Sequence, residues 1–92
     1  MKNSISISKK DQKVIKNMLS ATKKKFDTLS KDIEAGINVK DFMTKYDVCE
    51  MKDGAFDRNI FRVKFDYRFR ALVKIVDNCI EFLYVCNREG AY

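Results

Sequence analysis

The apolar residues of this chain change their spacing once, near residue 60, and that change confines it to folds with helices first and a sheet after. Upstream, Ile15, Met18 or Leu19, Thr22, Phe26, Leu29 and Ile33 recur every three or four positions, one stripe down a helix. Lysines 13, 16, 23, 24 and 25 fall mostly off that stripe. Ser8 followed by Asp11 resembles a capping box, which starts the helix at Lys9, and Gly36 ends the run. An unbroken helix from Lys9 to Ala35 would be about 40 Å long, more than a small domain spans, so a kink near Ser20–Thr22 is expected. Asn38 is placed to cap a third, short helix over Val39–Tyr46.

Downstream the period is two. Phe61, Val63 and Phe65 alternate with Arg62, Lys64 and Asp66. A connection at Asp66–Arg68 leads to a strand over Phe69–Val76. Asp77-Asn78 tolerates the positive φ of a two-residue hairpin, and a last strand follows over Cys79–Asn87. Ser4–Ser8 alternates Ser and Ile as a short half-buried strand would, Cys49–Lys52 reads as a short extended segment, and Asp53-Gly54 as a turn. The expected fold is a single α+β domain, residues 1–92, with N-terminal helices packed on one face of an antiparallel sheet that ends in a three-strand meander.

The charge is uneven. The net charge is +6, with local balances of +7 over residues 1–25, −3 over 26–59 and +2 over 60–92. Such a chain favours polyanionic partners, although a lysine-rich helix face also serves solubility alone. With no His, a Ser-His or Cys-His nucleophile and an imidazole acid–base group are excluded, and a zinc site would need an unusual ligand set. No glycine-rich phosphate loop occurs. Neither a metal nor a cofactor is expected. The odd cysteine count (Cys49, Cys79 and Cys86) points to buried or half-buried thiols in a reducing cytosol. No apolar run is long enough for a signal peptide or a membrane span, so a soluble cytoplasmic protein is expected.

The chemistry left is a set of cations and a phenol. Arg62 and Lys64 share a strand face, as do Arg70 and Lys74 on the next strand. Arg68 lies at the junction, and Arg88 and Tyr92 follow the last strand. If the strands pair in sequence order, these groups converge on one face. Arginine grips phosphate through a planar fork, and a tyrosine stacks on a base or moves a proton. The bland reading of the same spacing is the solvated face of a sheet.

At these residues the chain resembles the RelE/ParE toxin superfamily. The resemblance lies in the order of Met51-Lys52-Asp53-Gly54, Ile60-Phe61-Arg62-Val63-Lys64, Asp66-Tyr67-Arg68-Phe69-Arg70, Asp77-Asn78, Ile80–Val85 and Asn87-Arg88-Glu89-Gly90-Ala91-Tyr92. It implies helices on a small twisted antiparallel sheet and a toxin paired with a cognate antitoxin. In the RelE branch it implies metal-free cleavage of mRNA on the ribosome, the RNA's own 2′-OH attacking the adjacent phosphate. Carried across, the catalytic set is Arg62, Lys64, Arg70, Arg88 and Tyr92, with Arg68 competing for the position of Arg70. RNA contact falls to Arg68, Lys74 and Asn87. Asn87 stands where many relatives have His; it can hydrogen-bond but cannot titrate. Two other functions stay open: a ParE-like gyrase inhibitor without catalysis, and a small basic RNA- or DNA-binding module.

Overall fold

The computed structural model describes residues 3–51 and 59–87. The expected turn at Asp53-Gly54 and the predicted site residues Arg88 and Tyr92 lie outside them.

The helical stripe folds as two helices rather than one: α1, Lys9–Lys16, and α2, Ser20–Glu34. The break falls at residues 17–19, just before the expected kink. Asn17 leaves helical geometry at φ −89°, ψ 1°, and Leu19 is extended and 66% exposed. Met18, Thr22, Phe26, Leu29 and Ile33 all turn inward, so the break keeps the apolar side of the sequence on one surface without an over-long rod. The Ser8 hydroxyl accepts the Asp11 N–H at 3.1 Å, as the capping signal predicts. Gly36 has φ +85°, a left-handed conformation suited to a residue just past a helix end. Asn38 Oδ1 accepts the Asp41 N–H at 2.8 Å and caps α3, Val39–Lys45.

Four strands follow, not three. They are β1 (Asp47–Glu50), β2 (Ile60–Lys64), β3 (Phe69–Val76) and β4 (Cys79–Asn87), paired antiparallel in sequence order. The short extended segment expected at Cys49–Lys52 is the end of β1, which adds a strand to the meander. Asp77 and Asn78 take φ 52° and 62°, the double positive φ a tight hairpin needs. The Ser–Ile alternation at 4–8 yields one bridge only, Ser4 beside Glu81 on the outer edge of β4, where Ser4 N–H donates to Ile80 O and Phe82 N–H to Ser4 O.

All three helices cover the same sheet face. Their buried residues Phe26, Leu29, Ile33 and Phe42 form one core with Val63, Phe65, Ala71, Val73, Ile75, Ile80, Phe82 and Val85. Phe26 is its hub, meeting Phe65 and Phe82 edge-on at ring-centroid distances of 5.6 and 5.9 Å. Among the described residues, no helix is long and apolar enough to cross a membrane.

Where the N-terminal segment leaves the β4 edge, Asp11 takes over. Its side chain is buried at 3% exposure, and Oδ1 accepts the Val85 N–H at 3.3 Å. Oδ2 has no partner. Asp11→Ala strands a buried N–H and is expected to cost about 1–3 kcal/mol. Asp11→Asn keeps the acceptor and removes a poorly partnered buried charge, so it should stay within about 1 kcal/mol of the parent. Urea unfolding of both variants checks this; equal losses would show that charge, not edge capping, is what counts.

Candidate functional site

The strand register sorts the cations by face. Phe61, Val63, Ala71, Val73 and Ile75 point into the helix-side core, so Ile60, Arg62, Lys64, Arg70, Leu72 and Lys74 occupy the opposite face. No described helix covers that face. At its centre Ile60 and Leu72 form a small second cluster with Met51, Leu83 and Cys86. Arg62 sits directly across from Leu72, and Lys74 across from Ile60. Lys64 is exposed, and Arg62 and Lys74 are half-buried; Asp47 lies across from Lys64 and Glu81 across from Lys74. Arg62, Lys64 and Lys74 therefore share one sheet face, with Lys64 and Lys74 on either side of Arg62.

Arg70 departs from its predicted role. It belongs to the open face by register, opposite Cys86, but is only 5% exposed. Its Nη1 donates to the carbonyls of Asp66 at 2.7 Å, Phe69 at 2.9 Å and Tyr67 at 3.2 Å. Those carbonyls belong to the tight β2–β3 connection and its junction with β3, where ladder bonding gives out, and one charged nitrogen gathers all three. The connection is pinned from its other side by Asp66. Its Oδ1 accepts from Thr22 and Lys25 of α2 at 3.2 and 3.3 Å, and Oδ2 accepts the Arg68 N–H at 3.0 Å. Burial pushes the Asp66 carboxyl up, but the Arg68 amide, Lys25 and Thr22 together outweigh it and hold the group below its usual range.

Arg68 is exposed on that connection, apart from the Arg62–Lys74 group. Asn87 pairs with Phe69, whose ring packs on the helix-side core, so its register position alternates away from the open face. The N-terminal lysines form a separate surface: 9, 10, 13, 16, 23, 24 and 25 are all exposed on α1 and α2.

Sequence spacing missed Tyr84. Phe82 and Val85 both lie in the helix-side core, although residues three apart on a regular strand face opposite ways. The pairing slips between them: Leu72 faces Tyr84 while Val73 faces Phe82, leaving Leu83 as an extra residue. This bulge puts Leu83 and Tyr84 together on the open face. The signal was present in the run Phe82-Leu83-Tyr84-Val85, which has too many apolar residues in sequence to alternate. Burial, reinforced by Cys86 and Asp11, raises the Tyr84 phenol above its ordinary value, so near neutral pH it is a ring and a proton donor, not a base. Burial and Asp11 also raise the Cys86 thiol, against the opposing pull of Arg70, so it stays protonated and unreactive near neutral pH. Cys49, expected to be at least half-buried, is exposed because β1 is the outer strand of the sheet.

No protein-family model matches the chain, and no curated protein matches it in sequence. Two solved structures match its fold. One is an archaeal RelE–RelB complex from Pyrococcus horikoshii OT3, with a TM-score of 0.66, 18% identity, and coverage of 96% of this chain and 97% of the matched chain. The other is a RelB–RelE antitoxin–toxin complex from Methanococcus jannaschii, with a TM-score of 0.68, 17% identity, and coverage of 94% and 93%. At that identity the likeness is one of fold.

Proposed function

We propose that this chain is the toxin of a toxin–antitoxin pair and cuts mRNA on the ribosome, with Arg62 and Lys64 holding the scissile phosphate. The observation that carries the reading is the register that sets Arg62, Lys64 and Lys74 on the sheet face left open by the helices, with Asp47 and Glu81 opposite the two lysines. Similarity in fold to chains crystallised as RelE–RelB complexes supports it.

The chemistry asks little of the protein beyond charge and position. The ribose 2′-oxygen forms a bond to phosphorus as the P–O5′ bond breaks, giving a 2′,3′-cyclic phosphate and a free 5′-hydroxyl. The 2′-OH proton is lost and the departing 5′-oxygen gains one, so no oxidant or co-reactant is required. Negative charge builds on the five-coordinate phosphorus in between. Fixed cations at Arg62 and Lys64 are worth more to that state than to the ground-state phosphate. The ribosome supplies in-line geometry for the attack. A cognate antitoxin that silences such a surface would carry an acidic segment to lie over these cations.

Induction of the chain in bacteria should arrest translation and leave mRNA breaks within codons, only where ribosomes are engaged; primer extension on a reporter mRNA reads them. Growth arrest with DNA damage and intact mRNA would instead identify a gyrase inhibitor. No arrest would leave a binding module.

A further inference from the structure

Resting on that reading of the open face, we infer that Tyr84 is a stacking platform for an unpaired RNA base, one nucleotide's reach from the phosphate site. Arg62, Leu72 and Tyr84 form a single row across β2, β3 and β4. Neighbouring strands lie about 4.8 Å apart, so Arg62 and Tyr84 are about 10 Å apart at the backbone, on the same face. Between them Leu72 is fully buried, giving the row a dry apolar floor. Tyr84 is 38% exposed, enough to offer its ring to a ligand. The bulge is what makes this possible. A regular strand that kept Phe82 in the core would point Tyr84 into it as well, and only the extra residue Leu83 turns the ring outward.

The row itself chooses the occupant. Asp47 lies across from Lys64 and Glu81 across from Lys74, whereas Arg62 lies in one row with the buried Leu72 and the exposed Tyr84, and single-stranded RNA has the matching pair of an anionic phosphate and a flat apolar base. A base stacks on an aromatic whatever its sequence, so Tyr84 should add affinity and hold the strand's position without choosing a base.

The chain has no Trp, which makes a clean test available. In a Tyr84→Trp variant, a short single-stranded RNA should quench the indole fluorescence, whereas inorganic polyphosphate should bind the cations without quenching. Tyr84→Ala should weaken binding of the same RNA by about 5- to 150-fold, the range alanine substitution gives for base–aromatic stacking, and Tyr84→Phe should stay near the parent. Two results separate this inference from the reading beneath it. RNA binding that is lost in an Arg62→Ala/Lys64→Ala variant but unchanged in Tyr84→Ala, with no quenching in Tyr84→Trp, overturns the role of Tyr84 alone. RNA binding that is insensitive to all of these changes overturns both. Tyr84→Trp keeps an aromatic ring at this exposed position, so the quenching measurement decides the matter even if Tyr84→Ala fails to fold.

Discussion

Replacing Arg62 and Lys64 together with alanine is expected to abolish growth arrest and lower ribosome-dependent mRNA cleavage by roughly 100-fold or more, while the folded chain survives. The magnitude is that of removing groups which stabilise charge developing in a transition state. The fold should tolerate the change because neither side chain enters the helix-side core and Lys64 is exposed. Lys23→Ala/Lys24→Ala is the matched control. It removes the same two charges from the exposed surface of α2, on a different part of the molecule from the open sheet face. If net charge alone drew the protein to RNA, both pairs would weaken activity equally. If position decides, only the first pair does. Cleavage measured on isolated ribosomes, with thermal unfolding of each variant, tells the two apart.

Arg70→Ala is expected to act on the fold before it acts on RNA. The carbonyls of Asp66 and Tyr67 in the β2–β3 connection and of Phe69 at the start of β3 converge on Nη1, and the substitution leaves them without that donor in a nearly closed site. Hydrogen bonds to a charged group contribute about 1.5–3 kcal/mol each, but one nitrogen has only two hydrogens for three acceptors and the turn can relax, so about 3 kcal/mol overall is expected. For a domain of this size that is a large share of total stability and lowers the melting temperature by roughly 12–24 °C. Arg70→Lys keeps the charge without the planar fork and should recover only part of the loss. A variant that melts like the parent yet fails to cut RNA would return Arg70 to the catalytic set.

The fate of Arg70 shows how far spacing can be trusted. Alternation along β3 correctly assigned it to the face carrying Arg62 and Lys74. Alternation says which side a side chain leaves from, not whether it then folds back. Here three turn carbonyls, invisible as a sequence pattern, pull the guanidinium inward. Tyr84 is the reverse case. Strict alternation from Phe82 would have buried it, and an extra residue whose place is fixed by pairing with β3 turns it out.

Local signals did better where they rest on the chain's own backbone. The Ser8 cap, the Gly36 terminator, the Asn38 cap and the Asp77-Asn78 hairpin each need only a few consecutive residues, and all four are present. Length calls for a break between α1 and α2 but does not fix its position, because no Gly or Pro marks it. The sequence marks β1 only as a short extended segment, because four residues carry too short a pattern and their identity as a strand depends on β2 lying alongside.

Sequence alone therefore determined the α+β class, the order of the three helices and the last three strands, and the face from which each strand cation departs, since these follow from the 3.6- and 2-residue periods and from caps a few residues long. Tertiary structure decided which of those cations remain at the surface and which aromatic joins them. Carbonyl convergence at a turn and slippage between two strands are contacts between distant or folded-back parts of the chain, and no local period encodes them.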